Sequence, residues 1–271
     1  MRYVMNFADT DATLRGLGVR PSKGKGQNFL TDENIADWIV ERSGIRPHET
    51  VLEIGPGLGI LTQRLANKTD RLVVIELEEA LANHIKEKLG VQVIQGDAVE
   101  VEFPPFDKVV SNLPYQISSP ITFKILDSDF KRGILMYQKE FAQHLVAQPG
   151  ERAYSRISVM AGWRADCRII KQVSRGCFNP VPKVDSAIVE IEPKEPDFEV
   201  LDQDHFKNMV RALFSHKNRK VRNGIMAEHK SLGLEKERAK QLAENSPYFD
   251  QRPVTLAPEK LAEISNYFYR F

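Results

Sequence analysis

Four consecutive residues, Asn112-Leu113-Pro114-Tyr115, combine groups that suit a planar aromatic amine. The side-chain carbonyl of Asn112 and the backbone carbonyl of Leu113 can accept both hydrogens of an exocyclic amino group. That favours a pyramidal nitrogen, which is more nucleophilic than one whose lone pair is delocalised into a ring. Pro114 fixes the turn, and the ring of Tyr115 offers a stacking surface worth about 1–3 kcal/mol per base. As a bare tetrapeptide the run is more often an ordinary turn, so its place in the fold decides its meaning.

A glycine loop lies upstream of this run. Gly55, Gly57 and Gly59 follow a short apolar segment and precede a segment with helical periodicity. Glycines let the backbone turn tightly and approach a ligand closely, and the start of a helix offers free N–H groups. Glu76 stands 21 residues after Gly55, at the end of the next predicted strand, where a carboxylate can bind both hydroxyls of a ribose. Together these residues predict a site for a cofactor that carries a nucleoside.

Two cofactor classes compete for this loop. A dinucleotide site needs Gly-x-Gly-x-x-Gly, but Ile60 stands where the third glycine belongs. Glu53, inside the preceding strand, has no role in that pattern, whereas in a methyltransferase it can orient the loop and attract the cationic sulfonium of S-adenosylmethionine. Asp97 follows the third predicted strand, where its carboxylate can accept the adenine amino group of that cofactor. An aspartate there is often only a turn residue, but beside the loop and Glu76 the cofactor role is favoured. Because a sulfonium is already a strong electrophile, we expect no metal.

The spacing of apolar residues predicts the elements that must position these groups. Five strands are expected at 51–54, 71–76, 91–94, 108–111 and 133–137, and helices at 32–43, 80–89 and 120–126. Near-continuous apolar strands alternating with amphipathic helices indicate an α/β fold with a mostly parallel, Rossmann-like sheet covered on both faces. Residues 187–191 alternate more and predict an antiparallel edge strand, and Thr31 is the expected N-cap of the first helix.

Composition narrows the class of protein. The formal net charge of the 271 residues is only +1, so any affinity for nucleic acid has to come from local patches. Cys167 and Cys177 lack disulfide or metal-ligand spacing, which indicates a reducing cytoplasm. No run approaches the roughly 18 apolar residues of a membrane helix, and the first residues do not resemble a secretory signal. We therefore expect a cytoplasmic protein, and a monomer.

Three parts are expected along the chain. Residues 1–21 have weak periodicity and predict a loosely ordered arm. Residues 22–193 carry all the motifs above and predict the catalytic domain. Two prolines at 193 and 196 mark a linker, and residues 194–271 predict a small all-helical domain.

At this point the motifs closely resemble the ribosomal-RNA adenine dimethyltransferase family, and its archaeal and eukaryotic small-subunit branch in particular. The resemblance covers about residues 22–192. It rests on the segments 26–30, 52–59, 96–98, 112–115, 178–180 and 182–187.

The resemblance implies a class I S-adenosylmethionine-dependent methyltransferase and a pocket in which Tyr115 and Phe178 sandwich the target adenine. Leu113 matches the members that add two methyls. The implied substrate is a pair of adjacent adenosines in a hairpin loop near the 3′ end of small-subunit ribosomal RNA, within a pre-ribosomal small subunit. The expected cofactor-binding residues are Gln27, Asn28, Leu30, Gly55, Gly57, Glu76, Leu77, Asp97, Ala98 and Asn112.

Basic residues without intervening acids between 207 and 222 indicate a phosphate-binding surface, although a solvated helical face is nearly as common. Two lysines before the first helix add a second patch. The expected RNA-binding residues are Lys23, Lys25, Arg211, Lys217, Arg219, Lys220 and Arg222.

Three alternatives stay open at this point. The substrate can be large-subunit RNA, as for the related erythromycin-resistance methyltransferases. The essential act can be binding and timed release during ribosome assembly. A nicotinamide dehydrogenase is a remote alternative.

Overall fold

A computed structural model describes residues 7–20 and 27–271, with the side chains of the first helix described from Thr10 onward. The strands are β1 (Phe29–Leu30), β2 (Val51–Ile54), β3 (Leu72–Glu76), β4 (Gln92–Gln95), β5 (Lys108–Asn112), β6 (Arg132–Gln138), β7 (Ala165–Val173), β8 (Phe178–Asn179) and β9 (Ser186–Pro193). The helices are α1 (Phe7–Gly16), α2 (Glu33–Ser43), α3 (Ile60–Ala66), α4 (Glu79–Leu89), α5 (Ser118–Leu126), α6 (Lys139–Val146), α7 (Arg156–Arg164), α8 (Gln203–Ser215), α9 (Val221–Ala227), α10 (Lys236–Asn245) and α11 (Pro258–Tyr269).

Seven strands form one sheet in the order β4-β3-β2-β5-β6-β9-β7. The pairs β3–β4, β2–β3, β2–β5 and β5–β6 are parallel, and β9 runs antiparallel to β6. Strand order reverses beside β2, and in such sheets ligands bind beyond the carboxyl ends at that point. The α/β class, the mostly parallel sheet and the five expected strands are confirmed.

The antiparallel strand was predicted at the sheet edge, and this position is wrong. Strand β9 is interior, because β7 lies on its other side. Six consecutive residues of β9 from Ser186 are buried, as an interior strand requires, whereas β7 mixes exposed and half-buried residues. The mixed polarity of β7 is why no strand is expected there from the sequence.

Helices cover both faces of the sheet. On one face Val110, Ile134 and Ile188 form a core cluster with residues of α2 and α3. On the other face α5 contacts β6, where the Thr122 and Tyr137 hydroxyls lie 2.9 Å apart. Adjacent residues of a strand point to opposite faces, so β6 supplies both layers.

Two predictions near the N-terminus need correction. Residues 7–16 form helix α1 instead of a loosely ordered arm. The N-cap of α2 is Asp32, whose carboxylate accepts from the Ile35 amide, and not Thr31. The Thr31 hydroxyl donates instead to the Cys177 carbonyl.

The chain divides into two compact units. One contains the residues up to Ala142 and Cys167–Pro193, and the other contains Gln143–Asp166 and Lys194–Phe271. The second unit holds helices α7 to α11, so it includes a segment before residue 167 that the sequence assigns to the catalytic domain. Within the described parts of the chain, no helix has the length and apolar character needed to cross a bilayer.

The buried position of β9 predicts a stability difference between two identical substitutions. Val189 is fully buried opposite Leu135 of β6, whereas Val181 is 57% exposed. Val189→Ala should lower the free energy of unfolding by about 2 kcal/mol, because it removes buried methyl groups and leaves a cavity. Val181→Ala should stay within about 0.5 kcal/mol of the parent. Urea denaturation measures both, and equal effects would contradict the assigned core.

Candidate active site

A cavity opens at the carboxyl ends of β2, β3 and β5, where the parallel strands direct their following loops. It is lined by all ten residues expected to bind the cofactor and by the run 112–115. Residues far apart in sequence therefore meet at the edge that the alternation of strands and helices predicts.

The glycine loop after β2 packs against the loop after β5. A side chain at Gly55, whose φ is +67°, would place its Cβ 3.0 Å from the Pro114 ring. At Gly57, with φ +58°, a Cβ would lie 2.8 Å from the Phe29 ring. Both positions combine a left-handed backbone with a close approach, so only glycine fits without displacing a neighbour. The close backbone approach predicted for these glycines is therefore made to residues of the protein itself, the rings of Pro114 and Phe29.

Two carboxylates and an exposed leucine line the cavity next to this loop. Glu76 ends β3, is only 6% exposed, and accepts a 2.9 Å hydrogen bond from the Glu78 amide. Asp97 follows β4 and accepts a 2.9 Å bond from the Val99 amide, which fixes its side chain in a turn. Leu77 is 55% exposed although it is apolar. A large apolar side chain left exposed in a cavity suits contact with a bound base.

Glu53 is a buried carboxyl group facing the same cavity. It lies inside β2 with 1% of its surface exposed, and its Oε2 has no hydrogen-bond partner among the described residues. Burial, with a smaller contribution from the nearby negative charge of Glu76, raises the pKa of Glu53 to about 8. The group is therefore mainly protonated at neutral pH in the protein without ligand.

The side chains of Asn112 and Tyr115 are held by hydrogen bonds from other elements. Nδ2 of Asn112 donates to the Asn28 carbonyl at 3.3 Å, which leaves its Oδ1 as the acceptor. The Tyr115 hydroxyl lies 2.7 Å from Oγ of Ser186, the first residue of β9. Burial raises the pKa of Tyr115, so it stays a neutral phenol. An oriented amide and an oriented ring therefore stand side by side at the end of β5.

Phe178, expected to face the target adenine from the other side, is not placed in the cavity. It is fully buried on β8 within the core cluster that includes Leu30 and Val173. Strand β8 pairs with β1, and Leu30 lies opposite Phe178. In this structure the ring thus packs in the core, and its contact with the target adenine stays a prediction.

Helix α1 contributes a residue to the cavity lining that the sequence pattern does not predict. Thr10 lines the cavity, and Leu14 packs with Phe29 in a cluster beside the glycine loop. Asn179 of β8 donates to the Asp11 carboxylate at 2.9 Å. The weak periodicity of residues 1–20 gives no local signal for this contact, because it is made by residues distant in sequence.

This donor set fits S-adenosylmethionine. Glu76 offers a carboxylate for ribose hydroxyls, Asp97 an acceptor for the adenine amino group, and Glu53 a buried carboxyl near which a cation would be stabilised. The cofactor supplies an electrophilic methyl group on a sulfonium, so alignment is the main task left to the protein.

The residues expected to bind RNA differ in their surroundings. Arg211 and Arg219 are exposed, and no ion pair to either occurs among the described residues. Lys217 donates to the Tyr154 carbonyl at 3.1 Å, while Lys220 and Arg222 both pair with Asp250, at 2.7 and 3.1 Å. Lys23 and Lys25 lie outside the described residues.

The buried carboxyl group predicts a pH-dependent stability. Between pH about 4.5 and 8 the unfolded protein ionises Glu53 but the folded protein does not, so the folded state loses relative stability as pH rises. We expect Glu53→Gln to change the Tm little at pH 5 and to raise it by several degrees relative to the parent at pH 8. Thermal unfolding from pH 5 to pH 9 tests this, and a constant difference across that range would contradict the raised pKa.

Comparisons with known proteins identify the family of this chain. The family model described as ribosomal RNA adenine dimethylase matches residues 21–253. A probable ribosomal RNA small subunit methyltransferase A from Thermococcus onnurineus is 42% identical, covering 92% of this chain and 93% of the relative.

Two solved structures are also similar over most of their length. The crystal structure of a dimethyladenosine transferase from Plasmodium falciparum has a TM-score of 0.73 and 29% identity, covering 89% of this chain and 98% of that one. The 23S rRNA methyltransferase ErmE has a TM-score of 0.64 and 27% identity, covering 89% and 100%. Fold, cavity and sequence agree: the chain belongs to the ribosomal RNA adenine dimethylase family of S-adenosylmethionine-dependent methyltransferases.

Proposed function

We propose that this enzyme transfers two methyl groups to the N6 of each of two adjacent adenosines in the 3′-terminal hairpin loop of small-subunit ribosomal RNA. The substrate is a partly assembled small subunit, and the reaction is linked to its biogenesis. The observation that carries the proposal is the oriented amide of Asn112 beside a cavity with the donors for S-adenosylmethionine. The small-subunit name of a relative 42% identical to this chain supports the choice of RNA.

In the proposed mechanism the residues after β5 hold the target base. Before the first transfer, the Oδ1 of Asn112 and the backbone carbonyl of Leu113 accept the two N6 hydrogens, so the nitrogen lone pair turns out of the ring plane. One N6 proton is lost with each methyl group added, so only one of these two hydrogen bonds remains for the second transfer. Tyr115 stacks on the base, its ring held by the contact with Ser186. An adenine within a helix must first be unstacked, which a hairpin loop makes easier. Catalysis then rests on alignment and on acceptors placed before the reaction begins.

Methylation of large-subunit RNA is the second candidate, because the chain is 27% identical to a 23S rRNA methyltransferase over that protein's full length. Primer extension across both ribosomal RNAs separates the two, since dimethyladenine stops reverse transcriptase. The cytoplasmic location and the monomeric state stay predictions.

A separate binding role in assembly is also testable. Glu76→Ala should remove the ribose contacts and with them methylation. Normal maturation of small subunits in cells carrying this variant would indicate that binding and timed release is the essential act. Arrested maturation would indicate that methylation is.

The role of Asn112 predicts a split between catalysis and cofactor binding. Asn112→Ala should slow methyl transfer by about 10²–10³, the usual effect of losing one preplaced polar group. The cofactor Kd should change much less. Labelled S-adenosylmethionine with unmethylated small subunits, followed by nucleoside mass spectrometry, measures mono- and dimethylated adenosine. Asn67→Ala, at an exposed helix end, is the matched control, and full turnover by Asn112→Ala would overturn the mechanism.

The exposed arginines predict a salt-dependent contribution to RNA binding. Replacing Arg211 and Arg219 together by Gln should lower the slope of log K against log salt by about 1.4, if each neutralises one phosphate of unpaired RNA. Replacing Arg238 and Lys240, both exposed on α10, by Gln removes the same two positive charges and should leave the slope at the parent value. Filter binding to the small-subunit RNA at several salt concentrations measures both. Equal slopes for the two double variants would assign the effect to net charge alone.

A further inference from the structure

Lys124 makes an unusual set of contacts beside the cavity. It lies near the end of α5, the helix that begins three residues after Tyr115. Its ammonium donates to the carbonyls of Ala98 and Val99 at 3.0 and 3.1 Å, and also to that of Val101. The same ammonium lies 4.3 Å from the centroid of the Phe103 ring. Three backbone acceptors and one aromatic face therefore surround a single side chain.

These acceptors belong to the loop that carries Asp97. The loop turns sharply, since the amides of Glu100 and Val101 both donate to the Asp97 carbonyl. The Asp97 carboxylate accepts from the Val99 amide at 2.9 Å. Lys124 thus binds the outer side of the turn whose inner side presents Asp97 and Ala98 to the cavity. Three carbonyls aligned on one cation would repel one another without it, so the shape of the loop depends on Lys124.

We propose that Lys124 is a positioning residue for the adenine subsite of the cofactor. It holds the 97–101 loop so that the Asp97 carboxylate meets the adenine amino group, and it ties that loop to the helix that follows the target-base motif. Lys124 touches no cofactor atom in this assignment and acts through the backbone. The inference rests on the role proposed for Asp97.

The test uses two ligands that differ along one edge of the base. S-adenosylhomocysteine carries the adenine amino group, and S-inosylhomocysteine carries an oxo group in its place and a hydrogen on N1. Isothermal titration gives the Kd of each for the parent protein, Lys124→Met, Lys124→Arg and Asp97→Asn. We expect the parent to prefer the adenine ligand by roughly tenfold or more, as for a hydrogen bond to a charged group.

Lys124→Met should raise the Kd of the adenine ligand by about the same factor and change the Kd of the inosine ligand little. The preference for the adenine ligand then disappears. Lys124→Arg keeps the charge over Phe103, but its planar fork cannot direct three N–H groups to three converging carbonyls, so an intermediate preference is expected. This variant keeps the test decisive if Lys124→Met folds poorly. In turnover, KM for S-adenosylmethionine should rise while kcat stays near the parent value.

Lys108 offers a matched control. It is a buried lysine whose ammonium also binds a backbone carbonyl, that of Gly44 at 2.5 Å, and pairs with Glu49 at 2.9 Å. It stands at the start of β5, the opposite end of that strand from the cavity. Lys108→Met should lower the Tm but keep the preference for the adenine ligand.

The outcomes separate the two claims. Equal affinity of the parent protein for both ligands would overturn the role of Asp97 and, with it, that of Lys124. A preference lost in Asp97→Asn but retained in both Lys124 variants would overturn the role of Lys124 alone. An equal rise in the Kd of both ligands in Lys124→Met would also overturn the role of Lys124, because a purely structural contact would produce that result.

Discussion

The site depends on the parallel pairing of β2 with β5. This pairing places the glycine loop and the run 112–115 side by side, at the point where strand order reverses. The contact is tight, because no side chain fits between Gly55 and the Pro114 ring, and the Ile54 amide donates to the Ser111 hydroxyl at 2.8 Å. Any change that separates the two strand ends also moves the glycine loop away from residues 112–115.

A second constraint is electrostatic. Glu53 and Glu76 are both buried at the cavity, and burial raises the pKa of each. Buried carboxyls without a cationic partner are costly, so they are rarely kept for stability alone. Elsewhere in the same sheet the buried carboxylate of Glu190 does have cationic partners, which are Arg42, Arg132 and Arg168. The contrast supports the proposal that a cationic, hydroxyl-bearing ligand completes the environment of Glu53 and Glu76.

The sequence predicts elements that have a local apolar pattern better than contacts that depend on tertiary packing. Strands β2, β3, β5 and β6 are predicted to within two residues, because strands buried on both faces are continuous apolar runs. All ten cofactor-binding candidates line one cavity, since each follows or ends one of the parallel strands β2 to β5 or lies in or beside β1. Helix α1 and strand β7 were missed because neither has a strong period of its own. The packing of Phe178 against Leu30 and Val173 is not predictable from the sequence, because these contacts arise only in the folded chain.

The groups that would hold the target base show why so much of the fold takes part in a reaction that needs no nucleophilic side chain. With a strongly electrophilic methyl donor, rate depends on the angle and distance at which the amine is presented. Asn112 and Tyr115 are neighbours in sequence, but neither is oriented by its own loop. The Asn112 amide is turned by the carbonyl of Asn28, just before β1, and the Tyr115 hydroxyl is bound by Ser186 of β9. Strand β1 in turn pairs with β8, and β9 with β6, so a shift in either sheet changes the orientation of one of the two groups. Precision at the target nitrogen is therefore a property of the whole catalytic unit, and the sequence motif alone does not contain it.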